Sequence, residues 1–116
     1  MEAAARGAEA RGGTSVGLLP GADRRAANPH LTLTIPTGIG EMRNAMIVRA
    51  ADALIAVAGE FGTLSEIAFA IKTGVPVVGL DTWELSKGGH PVEDPIVRAS
   101  TPEGAVALAL GLVRNT

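Results

Sequence analysis

Groups able to hold or transform a ligand are concentrated in one decapeptide, Val57-Ala58-Gly59-Glu60-Phe61-Gly62-Thr63-Leu64-Ser65-Glu66. It follows an apolar run at residues 53–58 that reads as a buried strand. It opens a helix whose Leu64, Ile67, Ala68 and Ile71 fall at the i, i+3, i+4, i+7 spacing of one face. A helix start leaves backbone N–H groups without partners and carries the positive end of the helix dipole, and glycines let an oxygen-rich group come close to the backbone. The chemistry is therefore anion binding. Gly59, Gly62 and Thr63 form a phosphate cradle, with Glu60 and Phe61 in the same loop. No lysine follows Gly62, so the loop is not a P-loop, and its glycine spacing is not the G-x-G-x-x-G of dinucleotide folds.

Thr63-x-x-Glu66 is also spaced as a capping box, in which Thr63 caps the helix and Glu66 reaches back to the Thr63 N–H. A second glycine loop, Gly38-Ile39-Gly40, leads into a helix over residues 41–51. Arg43 falls in the first turn of that helix, where the dipole disfavours a cation by a few tenths to ~1 kcal/mol. A cation placed against that cost invites an anionic ligand; the alternative is a surface pair with Glu41. Glu60 brings a carboxylate into a loop meant for an anion, which requires that it face solvent, a cation or a ligand hydroxyl. Arg49 and Asp52 are spaced to pair with each other or to neutralise the helix C-terminus. His30 and His90 lack partners at metal-ligand spacing, so no metal site is expected. Trp83 reads as a loop anchor or subunit contact.

The elements that must position these residues alternate between strand and helix. A helix over residues 1–11 is stopped by Gly12-Gly13, and strands follow at residues 14–19 and 31–35. After the central strand and helix come a stop at Gly74 and Pro76 and a strand at residues 75–80. A long connection at residues 81–95 leads to a short strand at 96–100. Thr101-Pro102-Glu103 then opens a helix that runs to about Arg114. Such alternation implies parallel pairing through crossovers, hence an α/β fold with an open parallel sheet and helices on both faces. The ligand site of such a sheet lies at the carboxyl ends of its strands, where both glycine loops open.

With 116 residues and no low-complexity linker, the expectation is a single domain over residues 1–116. A net charge of -2 with no basic run argues against nucleic acid as a partner, and no stretch reads as membrane-spanning or secretory. The absence of cysteine excludes disulfides and thiolate metal sites. The default location is the cytoplasm.

The decapeptide resembles the P-G-G-x-G-T-x-x-E signature of the lysine decarboxylase-like (SLOG) superfamily, which includes the LOG phosphoribohydrolases and the molybdenum cofactor carrier-like proteins. Val57 stands at the proline and Ala58 at the first glycine; Gly59, Gly62, Thr63 and Glu66 fall on the motif. Residues 3–8, 16–20, 27–29, 35–38, 42–44 and 76–80 look like the carrier-like branch. The resemblance implies a Rossmann-like fold and a homodimer built through helices beside the site. It implies as ligand the molybdenum cofactor, a phosphorylated pterin, or a nucleotide, with no further cofactor required. It also implies that a first β-α-β portion is missing ahead of Met1, which would leave the strand at residues 14–19 without its neighbour.

Two functions follow from the likeness, a binding or carrier protein and a nucleoside 5′-monophosphate phosphoribohydrolase. In the enzymes the residues matching Glu66 and Arg43 are catalytic, but the lysine after that arginine is here Asn44. A third reading is a fragment whose signature survives without function.

Overall fold

The computed structural model describes residues 1–91 and 94–113, which fall into two units, Met1–Arg43 and Asn44–Thr116. In the first unit, helix α1 (Glu2–Ala10) ends where Gly12 and Gly13 turn their N–H groups back onto the Glu9 and Ala8 carbonyls, at 3.1 and 2.8 Å. Strand β1 (Val16–Leu19) then pairs in parallel with β2 (Leu33–Pro36), in register from Val16 opposite Leu33 to Leu19 opposite Pro36. The expectation that β1 lacks a neighbour is therefore corrected. The reason is local: Ser15 and Thr32 clamp the two strand starts together, the Ser15 N–H donating to Thr32 Oγ1 at 3.0 Å and the Thr32 N–H to the Ser15 carbonyl at 3.0 Å. Between the strands, Asp23 caps a short 3-10 turn (Arg24–Ala26) and holds Arg25.

A second 3-10 turn (Gly40–Met42) runs into α2 (Arg43–Ala50), so the expected helix at residues 41–51 begins tightly wound. The second unit continues with β3 (Leu54–Val57), α3 (Phe61–Thr73), β4 (Val77–Leu80), a small hairpin of β5 (Ser86–Lys87) and β6 (His90–Pro91), β7 (Val97–Ala99) and α4 (Pro102–Val113). Strands β3, β4 and β7 form a parallel sheet in that order. Successive side chains of a strand point to opposite faces. Val77 accordingly joins Val48, Ala56, Ile67, Ala70 and Ile96 in one core, while its neighbour Val78 joins Ala105 and Ala109 in another. Helices α2 and α3 thus cover one face of this sheet and α4 the other. The architecture is α/β with parallel strands and Rossmann-like in type, as the alternation of elements implies.

Two element ends carry clear local causes. Gly74, at φ +81, takes the left-handed conformation that stops α3, and the Val75 N–H closes onto the Ala70 carbonyl at 2.9 Å. Thr101 caps α4 through Oγ1, which accepts the Gly104 N–H at 3.0 Å, with Pro102 at the first helical position. The expected end of α4 at Arg114 lies outside the described residues. The β5–β6 hairpin, turned by Gly88-Gly89, was not expected within the long connection at residues 81–95. Among the described residues no helix is long and apolar enough to cross a membrane.

Candidate functional site

The glycine loop begins where β3 ends. Ala58 at φ +46 and Gly59 at φ +96 are successive left-handed residues, and they turn the chain so sharply that it is helical from Phe61 onward. A side chain at Gly59 would run into the Cβ, Oγ1 and Cγ2 of Thr63, so both the turn and the packing require glycine there. The helix starts earlier than a capping box would have it. Glu60 is the last residue before α3, Thr63 lies inside the helix, and the Glu60 side chain makes no capping hydrogen bond. The capping-box reading of Thr63 and Glu66 is thereby corrected, and Glu66 lies in the second turn, half-buried.

The first intrahelical bond joins the Leu64 N–H to the Glu60 carbonyl at 3.1 Å; among the described residues, no acceptor takes the N–H groups of Phe61, Gly62 and Thr63. Those open donors, at the positive end of a helix dipole, are the electrostatic content of the site. Gly62 differs from Gly59: a Cβ there would meet only Asn44 Nδ2, at 3.9 Å, so packing within the chain does not demand glycine. Its bareness leaves room in front of the helix. Phe61 is 76% exposed and Glu60 is exposed as well. Asn44, at the position of the enzymes' lysine, donates from Nδ2 to Ser65 Oγ at 3.2 Å, and Ser65 donates to the Gly62 carbonyl at 2.6 Å.

The turn after β4 holds the loop from its other side. The Ala58 N–H donates to the Leu80 carbonyl at 3.0 Å, Thr82 Oγ1 donates to the Ala58 carbonyl at 2.6 Å, and Trp83 Nε1 donates to the Glu60 carbonyl at 3.1 Å. The Trp83 ring lies 5.7 Å from that of Phe61, tilted by 30°. Arg98 supports the turn in its turn, donating to the Trp83 carbonyl at 2.7 Å and to Asp94 at 2.8 Å. Burial pushes the Asp94 carboxyl up, but the Ile96 and Leu85 N–H groups and the Arg98 guanidinium outweigh it and hold it below its ordinary value. Trp83 is thus the loop anchor that the sequence offered as one reading. Thr82 was missed. Its signal was positional, since it follows β4 as the glycine loop follows the adjacent parallel strand β3.

Gly38 and Arg43 belong to the first unit. The Gly38 N–H donates to the Gly21 carbonyl at 2.9 Å, and Thr37 Oγ1 to the Leu19 carbonyl at 2.7 Å, so this loop is tied down beside the end of β1. Arg43 donates from Nη1 to the Leu18 carbonyl at 3.0 Å, and its buried Nε has no hydrogen-bond partner among the described residues. It makes no ion pair with Glu41 there. Arg49 lies over the Phe69 ring, 5.4 Å from its centroid, instead of pairing with Asp52. His30 faces Glu9 at 3.5 Å.

A parallel α/β fold whose glycine loop opens a helix defines a Rossmann-like class of ligand-binding protein. The chain belongs to the SLOG cluster4 family, whose sequence pattern it matches over residues 1–106. Its fold is similar to that of the molybdenum cofactor binding protein from the phototrophic bacterium Rippkaea orientalis, with a TM-score of 0.82 and 28% identity over 97% of this chain and 71% of that one. It is likewise similar to the molybdenum cofactor carrier protein of Chlamydomonas reinhardtii, with a TM-score of 0.77 and 31% identity over 96% of this chain and 69% of that one. An uncharacterised protein of Archaeoglobus fulgidus is 41% identical over 95 residues, 82% of this chain and 62% of the relative. The chain therefore spans less than two thirds of that relative's length.

Proposed function

We propose that this protein binds a phosphorylated, nucleotide-like or pterin ligand and acts as its carrier. The observation that carries the reading is the start of α3, where no acceptor among the described residues takes the Phe61, Gly62 and Thr63 N–H groups and Gly62 carries no side chain. Donors of that kind suit a phosphate group. The two similar solved proteins are described as binding or carrying the molybdenum cofactor, which supports a phosphorylated pterin as cargo. The roles of Gly38 and Arg43 as ligand contacts rest on the family resemblance.

The second reading, a phosphoribohydrolase using Glu66 and Arg43, is disfavoured by Asn44. Where the enzymes' motif supplies a second cation, this chain supplies a neutral amide already bonded to Ser65.

Equilibrium titration with nucleoside 5′-monophosphates and with molybdenum cofactor released from a molybdoenzyme separates the two. Saturable binding without release of ribose 5-phosphate is the expected result. Release of ribose 5-phosphate, abolished ~10²-fold by Glu66→Gln, would establish the hydrolase instead. Absence of binding by every ligand would sink both.

A further inference from the structure

We infer that Thr82 and Trp83 are positioning residues that set the ligand-facing geometry of the glycine loop; the inference rests on the anion-binding reading above. The C=O and N–H of a planar trans peptide point in opposite directions. When Thr82 Oγ1 draws the Ala58 carbonyl toward the turn, the Gly59 N–H of that peptide must face away from it. The Glu60 carbonyl is shared between the Leu64 N–H of the helix and the Trp83 indole, and together they turn the Phe61 N–H away in the same manner. Two side chains of one turn therefore orient two loop peptides from behind.

The backbone needs that restraint. Ala58 at φ +46 occupies a conformation that an L side chain disfavours, and such a residue persists only where its surroundings over-determine it. Two bonds hold Ala58 itself, Thr82 Oγ1 to its carbonyl and its own N–H to the Leu80 carbonyl. The turn is itself restrained, because Arg98 grips the Trp83 carbonyl. Thr82 also packs closely, its Cγ2 standing 2.9 Å from where a Cβ on Gly79 would lie. The turn is thus a fixed back wall, and the loop takes its shape from it.

The test uses the full chain, with Thr82→Val removing one donor at unchanged bulk, Trp83→Phe removing the indole donor together with part of the ring, and Thr82→Ser restoring the hydroxyl. Hydrogen exchange of the Ala58 and Leu64 amides, which are bonded to the Leu80 and Glu60 carbonyls, is measured without ligand, and inorganic phosphate is titrated with amide resonances as the readout. Thr82→Val and Trp83→Phe are expected to speed exchange at these amides and to weaken phosphate binding roughly tenfold, with Thr82→Ser close to the parent. Lower thermal midpoints with unchanged loop exchange and phosphate affinity would overturn the inference. If the parent itself fails to bind phosphate, the anion-binding reading falls, and the exchange data alone then decide whether the turn sets the loop.

Discussion

Three small residues of one loop behave differently under substitution, because each is small for its own reason. Gly59→Ala meets both a left-handed φ and the Thr63 side chain, and is expected to cost about 1–3 kcal/mol of stability in denaturant unfolding. Gly62→Ala meets neither, and a better helix former there should leave stability unchanged or raise it by up to ~1 kcal/mol. The same methyl group would stand in front of the open N–H donors and lower phosphate affinity roughly tenfold, a separation of stability from binding that one titration can check. Ala58→Gly restores the residue that the signature prefers. Relief of the left-handed strain, less the added freedom of the unfolded chain, leaves a net gain of up to about 1 kcal/mol. At this scale the sequence was informative about Gly59 and Gly62, whose types announce themselves. The capping-box alternative for Thr63 and Glu66 fails, because a Thr-x-x-Glu spacing reads as a cap only if the helix begins at the threonine. The strained pair Ala58 and Gly59, which starts the helix earlier, is invisible in spacing.

Among the elements, strands and helices whose ends carry glycine, proline or a hydroxyl were legible, and α4 illustrates the point. Thr101→Ala removes the acceptor for the Gly104 N–H and is expected to cost about 1 kcal/mol, whereas Thr101→Ser should cost little. The connection at residues 81–95 was not legible, since its order comes from Asp94 and Arg98, which lie at its far end and form a clamp that no local pattern announces. The pairing of β1 with β2 escaped for a related reason, as hydroxyl clamps between Ser15 and Thr32 act across a long loop. The clamp at Asp94 has a defined pH dependence. Its folded pKa is depressed, so the folded state is favoured where the carboxylate is ionised in both states, above about pH 4. That contribution fades as pH falls through the depressed value. Asp94→Asn is expected to lower the thermal midpoint at neutral pH and to flatten its decline in acid. A parallel acid limb in both proteins would count against the clamp.

For the molecule as a whole, exposed apolar side chains are the feature that the isolated chain leaves unexplained. Met42 is 74% exposed and Met46 41%, and on the edge strand β3 Ile55 is 38% and Val57 59% exposed. Apolar surface of this kind, like an unpaired strand edge, invites association. A homodimer that uses α2 is the expected assembly at micromolar concentration by light scattering, and Met46→Glu should shift it to monomer; a monomeric mass for the parent would remove the proposal. Trp83 carries a consequence of another kind. The chain has one Trp and no Tyr, so under excitation at the red edge of indole absorption all emission arises from the residue bonded to the Glu60 carbonyl and resting beside Phe61. The protein thus contains a single intrinsic indole fluorophore wired to its glycine loop. Any occupant that shifts that loop, or lays a conjugated ring against the Phe61 face, should report its own arrival as a change in emission, with no label attached.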